Sequence, residues 1–207
     1  MKLKPEELTD NGYVLLDSLE HNELIPFINI YIKKRTRFSV IYWLSNLIFI
    51  ASIIFYFWQN YGSDSFSFGE GLIHCSYGFA IAFLLIPIHE YIHVLAYKSQ
   101  GADQTSYDVN LKKFYFMAIA DKFVASRKEF QIVALAPFVT ISTVLLFLLF
   151  FVGNLWTFTI LGTLLIHTAF CSGDFGLLSY FDFHKNKEVV TCDDKENGIS
   201  YFYGRIK

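Results

Sequence analysis

Two histidines and a glutamate within five consecutive residues are the side chains in this sequence best suited to chemistry. They form the pentapeptide His89-Glu90-Tyr91-Ile92-His93. Residues four positions apart lie on one face of an α-helix, one turn apart, so both imidazoles can bind one metal ion. Glu90 is then placed to accept a proton from a water molecule that the ion activates. The spacing predicts a zinc (Zn²⁺) site with His89 and His93 as ligands and Glu90 as the general base.

The helix that carries this motif belongs to one of four long apolar runs. Of the 207 residues, 54% are hydrophobic and only 17% are charged, whereas soluble domains have about 25% charged residues. Each run reaches the roughly 20 residues that a helix needs to cross a bilayer, and lipid leaves backbone polar groups no other partners. We therefore predict an all-α membrane protein with four transmembrane helices. They cover about residues 38–58, 71–97, 130–152 and 155–181.

The basic residues predict how the chain is oriented in the membrane. Segments 1–37, 98–128 and 182–207 together contain all 17 Lys and Arg, and cytoplasmic loops are enriched in both residue types. Both termini and the middle loop are therefore expected on the cytoplasmic side. This divides the chain into an N-terminal segment (1–37), a four-span metalloprotease-like core (38–181) and a cytoplasmic tail (182–207). The lipid bilayer is the first expected partner, and nothing suggests binding to nucleic acid.

Three stretches outside the apolar runs carry weaker signals. The stretch 107–120 is rich in aromatic and β-branched residues and predicts a small cytoplasmic strand segment. The tail predicts a C-terminal hairpin, with strands at 188–191 and 199–203 around a polar turn at 193–198. The apolar patch at 24–28 has two alternatives: it lies on the inner membrane surface, or it packs as a small turn that touches no lipid.

A third metal ligand is expected, because catalytic zinc sites use three protein ligands and keep one position open. His89 lies 18 positions after Gly71, and Asp174 lies 19 positions after Leu155. These separations correspond to about 27 and 28 Å along a helix. Both predicted spans run in the same direction, so the two groups should lie at the same depth. We therefore predict Asp174 as the third ligand, with a helix-end aspartate in interfacial water as the alternative.

Two further residues should face the motif from the helix that carries Asp174. His167, Cys171 and Asp174 are spaced i, i+4 and i+7, which places them on one helix face. Cys171 is an alternative ligand, one turn from Asp174. His167 is predicted to orient a ligand from the second shell or to contact the substrate. The same second-shell role is open to Cys171.

Other ionisable residues are expected to have no part in the site. Glu129 is a rival carboxylate, 36 positions after His93, but it follows two basic residues, so a solvated ion pair is the simpler account. Asp182 and His184 lie beyond the fourth predicted span and are expected to be solvated. The first 35 residues show no cleavable signal peptide, so the first apolar run is expected to act as an uncleaved anchor.

These motifs resemble the site-2 protease group of intramembrane zinc proteases, in which an H-E-x-x-H helix pairs with an aspartate on a later span. A more specific resemblance is to the bacterial putative zincin peptidase domain family, whose function is unknown. It is carried by HEYIHVLAY (89–97), ALAPF (134–138) and HTAFCSGDFGLLSYF (167–181).

The resemblance implies a zinc metalloendopeptidase with zinc bound by His89, His93 and Asp174 and with Glu90 as the base. It also implies residence in a bacterial cytoplasmic membrane and a membrane protein or peptide as substrate. One departure is that site-2 proteases carry N-x-x-P before L-D-G, whereas CSGDFG (171–176) stands here. The alternative function is therefore a non-catalytic membrane protein with a structural metal site, acting as an interaction partner.

Overall fold

Strands make up a substantial part of this protein. The computed structural model describes residues 3–62, 66–110 and 115–206, and it is 62% helical and 18% strand, with two sheets. The prediction of an all-α protein is therefore wrong. The strands come from segments outside the apolar runs, where the sequence predicted only a small strand segment and a tail hairpin, because long-range strand pairing leaves no local pattern.

Within the described residues the chain forms seven α-helices and six strands. The helices are α1 (Leu24–Tyr31), α2 (Arg37–Asn60), α3 (Phe68–Leu84), α4 (Ile86–Ser99), α5 (Arg127–Leu148), α6 (Asn154–Phe170) and α7 (Ser172–Phe183). The strands are β1 (Val14–Glu20), β2 (Thr105–Asn110), β3 (Tyr115–Ala120), β4 (Ala125–Ser126), β5 (Lys187–Asp194) and β6 (Ile199–Ile206).

Among the described residues, α2 and α5 are the two single helices that are long and apolar enough to cross a membrane. The pairs α3–α4 and α6–α7 meet the same criterion only when joined, and they bend by 42° and 46° at the break. The prediction of four transmembrane helices is thus corrected to two, or up to four if each bent pair is one span. Pro87 explains the first bend, because it has no N–H to continue the hydrogen bonding of α3 into α4.

By its internal contacts the chain divides into two compact units. The sheet unit comprises residues 1–39, 90–137 and 173–207, and the helical unit comprises residues 40–89 and 138–172. The chain passes from the helical unit to the sheet unit within α4, between His89 and Glu90. The H-E-x-x-H motif therefore contributes its first histidine to one unit and the rest to the other.

The sheet unit contains both sheets. One has four antiparallel strands in the order β1-β6-β5-β4, and the other consists of β2 and β3. The tail hairpin expected at 188–203 is present and longer, since β5 and β6 pair from Lys187–Ile206 to Asp194–Ile199. The expected strand segment at 107–120 is two paired strands, and its residues 111–114 lie outside the described part of the chain.

Aromatic packing joins α1 and α7 to the four-stranded sheet. The Phe27 ring lies 5.7 Å from Phe202 on β6 and 5.4 Å from Tyr180 on α7. Ile28 of α1 is buried, and a Cβ added at Gly176 of α7 would lie 2.6 Å from its side chain. The absence of a side chain at Gly176 thus lets α7 approach α1 closely. The apolar patch at 24–28 packs into this unit through Phe27 and Ile28.

Close approach of α3 and α6 organises the helical unit. A Cβ added at Gly78 would lie 2.6 Å from the Thr163 nitrogen, and one added at Gly162 would lie 2.8 Å from the Cys75 carbonyl oxygen. Only glycine permits backbones to pack this tightly. His74 of α3 also contacts Thr159 of α6, with 3.0 Å between Nδ1 and Oγ1. These contacts hold α6, whose C-terminal end carries His167.

Candidate metal centre

Both histidines of the motif lie on α4, as their spacing predicts. His89 is 8% exposed and His93 is 7% exposed. Within this helix, one ligand atom each from His89, Glu90 and His93 lies within 4.8 Å of the others. The three side chains therefore form a buried group able to hold a metal ion.

His93 has a different acceptor at each ring nitrogen. Its Nδ1 lies 3.0 Å from the Val133 carbonyl oxygen on α5, and its Nε2 lies 3.1 Å from Oδ1 of Asp174. Because a carbonyl can only accept, Nδ1 must donate, and in the neutral ring Nε2 is then itself an acceptor. Two acceptors 3.1 Å apart need a shared cation, either a proton or a metal ion.

The separation between these two atoms is compatible with zinc. Zinc binds histidine nitrogen and carboxylate oxygen at about 2.0–2.2 Å in tetrahedral geometry, which places two ligand atoms roughly 3.3 Å apart. The Val133 carbonyl would serve as the outer partner that metal-bound histidines usually have. The nitrogen and oxygen donors of His93 and Asp174 thus fit a zinc ion in both chemistry and spacing.

Asp174 reaches His93 from the first turn of α7. A carboxylate is favoured there by the partial positive charge of the helix N-terminus. Its side chain is 16% exposed, so it lies mostly away from solvent. Depth matching in the sequence paired Asp174 with His89, whereas the contact in the structure is between Asp174 and His93, the second histidine of the motif. The role of Asp174 as a metal ligand stays a prediction.

Glu90 is held by a strand that sequence analysis did not connect to it. Its Oε2 accepts a hydrogen bond of 2.8 Å from the backbone N–H of Ala118 on β3. Ala118 is opposite Tyr107 in the β2–β3 ladder, and its N–H points to Glu90 instead of to β2. The candidate base is thus hydrogen-bonded to the outer edge of β3, the edge that does not pair with β2. No local sequence pattern indicates a backbone donor that lies 28 positions away.

A second group of donors surrounds His89 in the helical unit. Its Nδ1 lies 3.2 Å from Nε2 of His167, and that Nε2 lies 3.9 Å from Sγ of Cys171. The three residues are buried, and one ligand atom from each lies within 4.8 Å of the others. His167 and Cys171, predicted to share a helix face with Asp174, are brought together with His89, whereas Asp174 lies on α7, beyond the 46° bend.

The residues that sequence analysis set aside have other partners. The Glu129 carboxylate accepts hydrogen bonds from Ser126 N and Oγ, at 2.9 and 2.8 Å, at the start of α5. Asp182 is buried, and it binds Arg37 through the backbone N–H at 2.9 Å and through Nε and Nη2 at 3.1 and 2.8 Å. The expectation of a solvated Asp182 is wrong, because its cationic partner lies 145 positions away. His184 is half-buried, with its Nδ1 3.1 Å from the Tyr180 carbonyl oxygen.

Comparison with known proteins assigns the chain to a family. A family model described as "Putative zincin peptidase" matches residues 82–188. This range covers more than half of the chain and includes the motif, Asp174, His167 and Cys171. No curated protein and no solved structure gave a significant match. The match confirms the family resemblance seen in the sequence, and the zincin name points to a zinc metallopeptidase. The chain belongs to the putative zincin peptidase family.

Proposed function

We propose that this protein is a membrane-embedded zinc metallopeptidase whose zinc is held by His89, His93 and Asp174. The contact of 3.1 Å between His93 Nε2 and Asp174 Oδ1 carries the proposal. The His93 nitrogen and the Asp174 oxygen, which can both bind a metal ion, lie next to each other there. The other His93 nitrogen donates to a backbone carbonyl. Zinc bound there would act as a Lewis acid and make a water molecule more acidic.

In this proposal Glu90 accepts the proton of the attacking water and passes it to the leaving amine. The hydrogen bond from Ala118 to Oε2 fixes the orientation of the carboxylate. General acid–base catalysis of this kind contributes about 10²–10⁴-fold to a rate. Glu90 lies beside the first ligand in the chain, which keeps the base close to the activated water.

The second shell would orient both imidazoles. The Val133 carbonyl keeps the His93 proton on Nδ1, leaving Nε2 for the metal. His167 faces Nδ1 of His89, which leaves Nε2 of that ring for the same ion. Outer partners of this kind typically change metal affinity by about 10–100-fold.

We propose a membrane location from the apolar helices and the distribution of charge. Helices α2 and α5 are long and apolar enough to cross a bilayer, and every Lys and Arg falls in segments 1–37, 98–128 and 182–207. By the positive-inside rule these segments face the cytoplasm, with both termini inside. The family resemblance makes a bacterial cytoplasmic membrane the expected site.

A peptide from a membrane protein is the proposed substrate, bound as an added strand along β3. The N–H of Ala118 on the outer edge of β3 is bonded to Glu90, and that of Ala120 lies 3.4 Å from Asp193 Oδ2. A pairing substrate would therefore compete with the Glu90 carboxylate for Ala118. Displacement would release the base next to the bond to be cut.

The test is Glu90→Gln in the full-length protein, purified in detergent and co-expressed with membrane substrates. Glutamine keeps an oxygen that can accept from Ala118 but cannot serve as the base. We expect zinc content to be unchanged and cleavage to fall by about 100-fold or more. Normal cleavage by this variant would contradict the proposal. Glu129→Gln is the matched control and should retain cleavage.

The alternative of a non-catalytic structural metal site gives a different pattern. Wild-type protein would then bind zinc and cleave no substrate, and a chelator would lower its unfolding temperature, because structural zinc contributes directly to folding. Zinc analysis, a cleavage assay and a thermal scan with and without chelator separate the two functions.

A further inference from the structure

We propose that His89, His167 and Cys171 form a second metal site that binds a thiophilic divalent ion such as Zn²⁺ or Co²⁺. Its donors are Nδ1 of His89, Nε2 of His167 and Sγ of Cys171. The site lies within the helical unit. It shares the His89 ring with the proposed zinc site but uses the ring's other nitrogen, and it needs neither His93 nor Asp174.

The spacing of the donors supports this assignment. His89 Nδ1 and His167 Nε2 are 3.2 Å apart, close to the roughly 3.3 Å between two nitrogens on a tetrahedral zinc ion. His167 Nε2 and Cys171 Sγ are 3.9 Å apart, against roughly 3.6 Å for nitrogen and sulfur on the same ion. One ligand atom of His89 and the Cys171 sulfur lie within 4.8 Å of each other, so side-chain movement would complete the set.

The burial of these side chains favours metal binding at this position. His167 is 1% exposed and Cys171 is 0% exposed, so water cannot readily solvate either one. Both lie on the turn that ends α6, where the Cys171 N–H donates to the His167 carbonyl at 3.1 Å. The i, i+4 spacing on one helix face presents them together, as in other paired metal ligands.

The donor types determine which ions fit. A thiolate with two imidazoles selects zinc, cobalt and other thiophilic ions over magnesium or calcium, which prefer oxygen. Binding at this site alone would release one proton, from the Cys171 thiol, because the neutral His89 ring can carry its proton on Nε2 instead of Nδ1. With an ion at each ring nitrogen, His89 would lose that proton as well. No oxidant or reductant is required.

The test is Co²⁺ titration of the full-length, metal-free protein in detergent under reducing conditions. Thiolate ligation to Co²⁺ gives a charge-transfer absorption in the near ultraviolet that nitrogen and oxygen ligands do not give. We expect wild-type protein to bind about two ions per chain and to show this absorption. Cys171→Ser should bind about one ion without the absorption, which also shows that the variant is folded.

Two further variants separate this site from the proposed zinc site. His93→Ala should lose one ion and keep the thiolate absorption, because His93 is outside the second set. Cys75→Ser, a control in the same unit, should behave as wild type. If wild-type protein binds one ion without the absorption, and His93→Ala loses that ion, the His89–His167 contact is a hydrogen bond only and the inference is overturned. One ion with the absorption that His93→Ala leaves intact would instead overturn the proposed zinc site.

Discussion

The sheet unit and the helical unit both hold buried histidines, but they give them different partners. In the sheet unit, His93 lies between the Val133 carbonyl and the Asp174 carboxylate, and Glu90 is held by a backbone N–H of β3. In the helical unit, His89 contacts the imidazole of His167, with the Cys171 thiol next to it. His93 contacts two oxygens, whereas His89 contacts a nitrogen of His167, which in turn contacts the Cys171 sulfur.

This difference separates the proposed roles of the two units. Oxygen acceptors on both sides of His93 require a cation at Nε2, which is the electrostatic basis of the proposed hydrolytic site. Glycine contacts between α3 and α6 make the helical unit a tightly packed support for His89 and His167. Single substitutions in each unit test this difference between the two histidines.

The largest effect is expected for Asp174→Ala in the sheet unit. Removal of a direct zinc ligand should lower zinc affinity by more than about 100-fold, since loss of outer-shell partners alone costs about 10–100-fold. Competition against a chelator of known affinity measures the change. If zinc affinity is unaffected, Asp174 contacts His93 only as an ion pair. The oxygen partners of His93 would then have no role in metal binding.

Gly78→Ala tests the packing of the helical unit. The added methyl would lie 2.6 Å from the Thr163 nitrogen and would also meet the Thr159 carbonyl oxygen. Backbone atoms cannot move aside as a side chain can, so we expect the free energy of unfolding to fall by about 1–3 kcal/mol. Denaturation in detergent measures it.

The control for Gly78 is Gly69→Ala on the same helix. Its added methyl would meet only the Ser67 hydroxyl, at an ordinary 3.6 Å, and alanine has the higher helix propensity, by about 1 kcal/mol. Equal destabilisation by both variants would show that the α3–α6 contact does not depend on close backbone approach.

Asp193 should make the stability of the sheet unit depend on pH. Burial raises the pKa of Asp193 above 3.8, although a hydrogen bond from Ser200 opposes this effect. The folded state then holds the proton to higher pH than the unfolded state, so stability falls as pH rises from about 3.8 through the raised pKa.

Asp193→Asn should remove this dependence, because asparagine does not ionise but can still accept from Ser200. Unfolding of wild type and variant between about pH 4 and pH 7 gives the difference, in which other titrating groups largely cancel. A variant whose stability changes with pH as much as wild type would disprove the assignment to Asp193.

The smallest effect is expected for Glu129→Gln, the other carboxylate near the motif in sequence. Glu129 accepts from Ser126 at the start of α5, so the substitution should cost no more than about 1 kcal/mol of stability, as for a helix cap. Zinc content should not change. A fall in zinc content comparable to that of Asp174→Ala would make Glu129 the ligand instead.

Some features of the fold could be anticipated from local patterns, and others could not. The motif helix, the apolar helices and the tail hairpin follow from periodicity and turn composition. The strand content was underestimated because β1 (VLLDSLE) has no clear alternation and is largely exposed, so it is recognisable only through its pairing with β6. Pro87 in the first turn of α4 accounts for the break between α3 and α4, but the bend angle depends on packing.

The spacing of residues in the sequence was enough to predict two imidazoles one turn apart on a helix, a carboxylate next to the first of them, and an aspartate on a later apolar run. These follow from helix geometry, which relates residues a few positions apart. Tertiary structure decided that Asp174 contacts His93, that Ala118 holds Glu90, and that Arg37 neutralises Asp182. Such partners lie 28 to 145 positions apart, and only the packing of whole helices and strands brings them within hydrogen-bonding distance.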